Sequence, residues 1–203
     1  MNSMNLRKAF FLLLIGCASY FLVDQQIMAL VSPYAKAYRI AFKVCTLLIF
    51  PPLYLALSAA GFVMARLKKS RWTLPFFEIL VAQCLSIAFV RVFKIIIGRA
   101  RPDIFLKKGV YGFYGFEWNH HFHSFPSGHS MAAFTLATSL ALLFPRFRTY
   151  FFSIAALLTT SRIFLLGHFP SDVIGTAAIA LMIAGGVHHF INSITRSPSY
   201  ETV

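Results

Sequence analysis

The stretch HSFPSGHSMAAF, His123 to Phe134, sets a Pro-Ser-Gly turn and a histidine at the head of a run that otherwise reads as a membrane helix. Polar groups are costly at membrane depth, so Ser127, Gly128, His129 and Ser130 opening an apolar segment need a purpose. Working outward, the 203-residue chain is 58% hydrophobic, which excludes an ordinary soluble domain. Residues 1–203 read as a single membrane-embedded domain. Nineteen Lys and Arg against six Asp and Glu make it strongly basic. The cations fall between or at the ends of apolar runs, which points to topology signals and anionic lipids and not to nucleic acid. Cys17, Cys45 and Cys84 lie inside apolar runs without metal-type spacing and read as small packing residues.

A spanning helix needs roughly 17 to 25 mostly apolar residues. Six segments meet or approach this: Lys8 to Val23, Val44 to Met64, Leu74 to Ile97, Ser130 to Phe144, Tyr150 to Leu166 and Val173 to Phe190. The expected fold is an all-α bundle of six transmembrane helices. The first run resembles a signal peptide in composition, but no small-residue cleavage site stands out behind it, and it is read as a retained span. Pro51 and Pro52 predict a kink in the second span. Asp24 to Lys43 reads as an amphipathic surface segment, and ITRSPSYETV at the end as a loose tail. With helices alternating, Arg66, Lys68, Lys69, Arg71, Arg146, Arg148, Arg7 and Lys8 share one face, expected to be cytoplasmic. The opposite face is nearly as basic, an excess that needs its own explanation.

Three pieces supply it. KIIIGRARP ends the third span with Lys94 and Arg101 seven residues apart, one face if the helix continues that far. PSGH opens the fourth span, and SRIFLLGHFPSD closes the fifth with Ser161, Arg162, His168 and Asp172. Alternating directions bring all of these to one end of the bundle. The residue types suit phosphoryl transfer, which chiefly requires positioning and neutralising a dianion. Lys94, Arg101 and Arg162 can clamp phosphate oxygens. Backbone N–H groups of Ser127, Gly128 and His129 at a helix start form an anion site. His168 is the expected nucleophile, with Asp172 four residues on holding one ring nitrogen, and His129 the expected acid for the leaving oxygen. Singly, each has a commonplace role: a packed histidine, a snorkelling arginine, a helix-capping aspartate. The complete set favours chemistry.

These motifs, within residues 94–172, resemble those of the type 2 phosphatidic acid phosphatase superfamily, which includes lipid phosphate phosphatases, vanadium haloperoxidases and bacterial acid phosphatases. Every specified position is filled, in order. The resemblance implies a metal-independent lipid phosphate phosphatase working through a phosphohistidine, without a cofactor, on a lipid phosphate substrate in the bilayer. The roles fall on Lys94, Arg101, Ser127, Gly128, His129, Arg162, His168 and Asp172. A bacterial inner membrane with the site facing outward is the expected location. The loop GVYGFYGFEWNHHFHSFPSGH most resembles bacterial members acting on lipid A phosphates, with undecaprenyl diphosphate, phosphatidylglycerophosphate and phosphatidate as alternatives. Transfer of the phosphoryl group to a lipid or sugar hydroxyl, or a carrier that only binds the phosphate lipid, are the rival functions.

Several residues stand outside the motifs. His120, His121 and His123 form only a partial metal-ligand set and read as a solvated or headgroup-facing loop. Tyr111, Phe113, Tyr114, Phe116 and Trp118 form either an interfacial belt or a lid. Arg91, Arg99, Lys107 and Lys108 are expected either to attract an anionic headgroup or simply to meet anionic lipids. Glu78 is expected to be paired or water-exposed near the opposite boundary.

Overall fold

The structure is a computed structural model that describes residues 3–195. Residues 196–203, most of the expected tail, lie outside the described residues; Ile194 and Thr195 belong to the last helix. The fold is all-α, and the described residues contain isolated β-bridges but no strand. Among the described residues nine α-helices follow in order: α1 (Ser3–Leu22), α2 (Asp24–Val31), α3 (Arg39–Leu48), α4 (Pro51–Leu67), α5 (Thr73–Ile97), α6 (Pro102–Lys108), α7 (Gly128–Leu143), α8 (Arg148–Phe164) and α9 (Pro170–Thr195).

Helix α7 is central, packing against α5, α8, α9 and α4, while α1 lies along α9. The central helices are built of small residues, with Ala132, Ala133, Ala137, Ala177, Ala178, Ala180 and Ala184 all buried. Small side chains let helix backbones approach, the packing mode that works without a hydrophobic drive between helices. Where α1 crosses α9, a Cβ added to Gly16 would meet the backbone of Gly175 at 3.4 Å. Buried polar groups bond across helices, Ser86 with Thr135 at 2.8 Å and Gln83 with the Ala132 carbonyl at 3.1 Å. The outer faces are the reverse of a soluble protein's, with Phe10, Phe11, Phe21, Leu57, Val63, Leu85, Val92, Leu157 and Phe190 exposed. An apolar exterior over a helical bundle is what a bilayer selects, and the protein is an integral membrane protein.

Among the described residues three helical stretches are long and apolar enough to cross a membrane: Arg39–Leu67, Thr73–Ile97 and Pro170–Thr195. A fourth is obtained if Leu6–Leu22 and Asp24–Tyr34, bent by 64°, count as one. Helices α7 and α8, with 16 and 17 residues, are shorter. Pro51 and Pro52 do not kink a helix interior. They occupy the first positions of α4, after Phe50 in extended conformation, because the residue before a proline avoids the helical region. The segment from Asp24 is not wholly a surface element either, since Asp24 is fully buried.

Helix α5 ends at Ile97, so Arg101 does not share a helical face with Lys94 as the spacing suggested. Gly98 turns the chain at φ +54°, where a Cβ would fall 2.0 Å from the Gly115 carbonyl oxygen. A side chain at that position would break the crossing. The chain after it is laced to the following loop: the Ala100 N–H donates to Gly112, the Arg101 N–H to His121, and the Ser124 N–H to the Arg99 carbonyl. Arg101 reaches the site by this lacing.

Candidate active site

The end of α5, the start of α7 and the end of α8 meet around a cavity of roughly 400 Å³. Its lining includes Lys94, Arg101, Gly128, His129, Arg162 and His168, with Arg91 at the side and Phe50, Pro51, Pro52, Val90 and Met131 as an apolar wall. Ser127 and Asp172 stand behind this lining.

Lys94, Arg101 and Arg162 make no ion pair among the described residues. Every described carboxylate is engaged elsewhere. Asp24 and Asp172 pair with Arg99, Asp103 with His121, Glu78 with His188 at 2.8 Å, and Glu117 accepts from the Asn119 N–H. The Nε atoms of Arg101 and Arg162 are buried and without a hydrogen-bond partner. Cations brought together out of water repel one another, so the arrangement demands an anion. In the loop before α6, burial holds the Arg101 guanidinium below its ordinary pKa despite Asp103 and Asp172.

Helix α7 adds donors. Ser127 is its N-cap, the hydroxyl accepting from the Ser130 N–H at 3.4 Å and the Ser130 hydroxyl at 3.0 Å. The Ser127 N–H was expected to be free for phosphate; it instead donates to the Thr176 hydroxyl at 2.9 Å. Two N–H groups in the first turn, of Gly128 and His129, are left without intrahelical partners at the positive end of the helix dipole. Ser127 caps the turn that carries them.

His168 lies in the loop between α8 and α9 and is 2% exposed. Its Nδ1 donates to the Ser124 carbonyl at 2.6 Å. A carbonyl only accepts, so Nδ1 carries the proton and Nε2 keeps its lone pair. Asp172 does not bond the ring as its spacing suggested, because its Oδ2 lies 3.9 Å from Nδ1. That oxygen instead accepts from the Ser124 hydroxyl at 2.6 Å and the Phe169 N–H at 2.8 Å, and Oδ1 accepts from Arg99. Asp172 therefore fixes Ser124, and the Ser124 carbonyl fixes the imidazole. Burial holds the His168 pKa well below the ordinary histidine range, and the nearby cations Arg162, Lys94 and Arg101 push it the same way. The ring is neutral at physiological pH.

Sequence reasoning missed Asp24, Ser124 and the placement of Arg99. Arg99 does not meet headgroups; it is 1% exposed and bridges Asp172 and Asp24, the latter at 2.6 Å. Tyr20, Phe113 and Phe169 surround it, with ring centroids 4.9–5.1 Å from the guanidinium carbon. Asp24 also accepts from the Ser171 N–H at 2.9 Å and the Tyr111 hydroxyl at 3.1 Å. Tyr111 is thus packed, whereas Phe113, Tyr114, Phe116 and Trp118 are exposed. The available signal was scarcity: with six acidic residues in the chain, a carboxylate directly behind an apolar run needs a cation nearby. Among the described residues no group of three His, Cys, Asp or Glu side chains is arranged to hold a metal ion. His123 Nε2 meets the Glu117 carbonyl at 2.9 Å and His121 Nδ1 meets Asp103 at 3.1 Å.

The geometry defines an integral membrane protein with a cationic pocket facing an oriented histidine. The chain belongs to the PAP2 superfamily, whose family model matches residues 75–196. Lipid A 1-phosphatases of Rhizobium johnstonii and Rhizobium etli are each 45% identical to it over 82 residues, 40% of this chain. The match spans about a third of the length of those curated relatives, 34% and 35%. The crystal structure of a transmembrane PAP2-type phosphatidylglycerolphosphate phosphatase from Bacillus subtilis is similar throughout, with TM-score 0.65 and 25% identity over 95% of this chain and 98% of that one.

Proposed function

We propose that the protein is a lipid phosphate phosphatase that works through a phosphohistidine. The observation that carries this is the set of three cations without an ion-pair partner among the described residues, Lys94, Arg101 and Arg162, around the free Nε2 of His168. A phosphate dianion among those cations also meets the Gly128 and His129 N–H groups. His168 Nε2 attacks phosphorus, the bond from phosphorus to the lipid oxygen breaks, and His129 gives that oxygen a proton. His129 then takes a proton from water, whose oxygen attacks the phosphohistidine, releasing inorganic phosphate and restoring both rings.

The apolar wall of Phe50, Pro51, Pro52 and Val90 supports acyl chains entering between the start of α4 and α5. The lipid A 1-phosphatase relatives favour a lipid A phosphate as substrate, and the Bacillus subtilis neighbour favours phosphatidylglycerophosphate as the second reading. Phosphate release by purified protein across lipid A, undecaprenyl diphosphate, phosphatidylglycerophosphate and phosphatidate tests the proposal. Release is expected on at least one of them and is expected to survive EDTA, because arginines and lysine stand where a metal enzyme clusters carboxylates. If chelation stops turnover and one metal restores it, the mechanism is overturned. Product analysis with a lipid acceptor present separates hydrolysis from phosphotransfer.

The same reading takes α1, α3 with α4, α5, α7, α8 and α9 as six spans of a bacterial inner membrane, with the cavity on the outer side. The Lys68–Trp72 link and α6 lie at opposite ends of α5. In a background with Cys17, Cys45 and Cys84 changed to serine, Lys108→Cys is expected to react with an impermeant thiol reagent in intact spheroplasts, and Ser70→Cys is not. The reverse pattern inverts the topology.

A further inference from the structure

A second cavity, of roughly 530 Å³, adjoins the first and shares two of its walls, Arg101 and Arg162. That size falls in the range of about 300–1,000 Å³ usual for small-molecule sites. Its far side is formed by α3. Arg39, Lys43, Thr46 and Leu47 all line it; Lys43 lies four residues after Arg39, and Thr46 and Leu47 three and four after Lys43, which places them on one helical face. Helix α3 is fixed in that orientation against α8, with Phe42 stacked on Phe164 at 4.4 Å and the Thr46 hydroxyl bonded to that of Ser161 at 3.0 Å. The third side is the loop face of Asp103, His120 and His121.

The charge of this lining is lopsided. Arg39, Lys43, Arg101 and Arg162 contribute four positive charges against the single carboxylate of Asp103, whose Oδ2 is occupied by His121. Neither Arg39 nor Lys43 makes an ion pair among the described residues. A guanidinium carries five N–H donors in a planar fork, so Arg101 and Arg162 can each serve an anion on either side. Simple attraction to anionic lipids would not require these cations to line one cavity with Arg101 and Arg162.

We propose that this second cavity is a subsite for a further phosphate group on the substrate headgroup, held by Arg39 and Lys43 and bridged to the scissile phosphate through Arg101 and Arg162. The proposal deepens the phosphatase reading and rests on it for the identity of the first phosphate. Preferred substrates then carry two phosphates, either as a diphosphate or at separate positions of a sugar headgroup.

The test measures equilibrium binding in nanodiscs at fixed ionic strength, in a His168→Ala background that blocks turnover. The probes are a prenyl diphosphate, a lipid-linked disaccharide phosphorylated at two positions, and phosphatidate as the single-phosphate control. Adding Arg39→Ala and Lys43→Ala is expected to weaken at least one of the two-phosphate lipids at least tenfold more than phosphatidate. The arm that responds tells which placement of the second phosphate fits. Equal weakening of all three, or no weakening of any, overturns the subsite. Because the readout is binding, a protein with intact His168 that released no phosphate from these three or from phosphatidylglycerophosphate would refute the phosphatase reading alone. Arg39 and Lys43 are exposed, so the variants do not disturb packing.

Discussion

His168→Ala is expected to abolish turnover and phosphoenzyme together, with a loss on the order of 10⁴-fold or more. The Ser124 carbonyl holds Nδ1–H and leaves Nε2 as the unprotonated nitrogen at the cation cluster, so no other lining group can replace it as nucleophile. His129→Ala is expected to behave differently. His129 lies in the first turn of α7, beside the N–H groups that would hold phosphate, and its ring has no hydrogen-bonding side chain behind it among the described residues. Its part is proton donation to the lipid oxygen, worth roughly 10²–10⁴-fold. That loss should appear on lipid phosphates and largely vanish on nitrophenyl phosphate, whose leaving oxygen needs little protonation. Rapid-quench trapping decides the matter. Phosphoenzyme in the His168 variant, or equal losses on both substrate types in the His129 variant, would sink the assignment.

The helices and the convergence of the motifs were legible because both depend on periodicity. Apolar runs located α1, α5, α7, α8 and α9, the second run straddles the break between α3 and α4, and alternation brought Lys94, His129, Arg162 and His168 to one end. What escaped were contacts whose partners are far apart in sequence or carried by the backbone. Arg99 meets Asp24 and Asp172 across 75 and 73 residues, and no spacing rule reaches that far. The hydrogen bond that orients His168 comes from a carbonyl, a group every residue possesses, so Ser124 left no mark as its source. Asp172 at four residues from His168 looked like a direct partner because i to i+4 spacing implies contact on a helix. His168 lies ahead of α9, whose first residue is Pro170, and there the rule does not apply. The Ser127 N–H was misjudged for a similar reason, since Thr176, 49 residues away, takes it.

Arg99→Leu is expected to destabilise the protein by about 3–5 kcal/mol, since removing one partner of a buried ion pair leaves an uncompensated charge. Here two carboxylates lose their cation at once, Asp24 and Asp172, both fully buried. At roughly 2–4 °C per kcal/mol for a chain of this size, thermal unfolding in detergent should fall by about 6–20 °C. In the wild type burial opposes the charged form of Arg99, yet the fields of Asp172 and Asp24 outweigh it and raise its pKa, so the cation persists at any working pH. Arg99→Lys keeps the charge but not the planar fork that reaches both carboxylates, and should recover only part of the loss. The damage extends to chemistry, because Asp172 freed from Arg99 no longer anchors the Ser124 hydroxyl, and the Ser124 carbonyl is what orients His168. Both variants should therefore lower kcat at temperatures where they remain folded, with KM little changed, since Lys94, Arg101 and Arg162 still hold the phosphate. An unfolding temperature within about 2 °C of wild type for Arg99→Leu, or a loss confined to KM, would show that this bridge neither holds the fold nor positions the nucleophile.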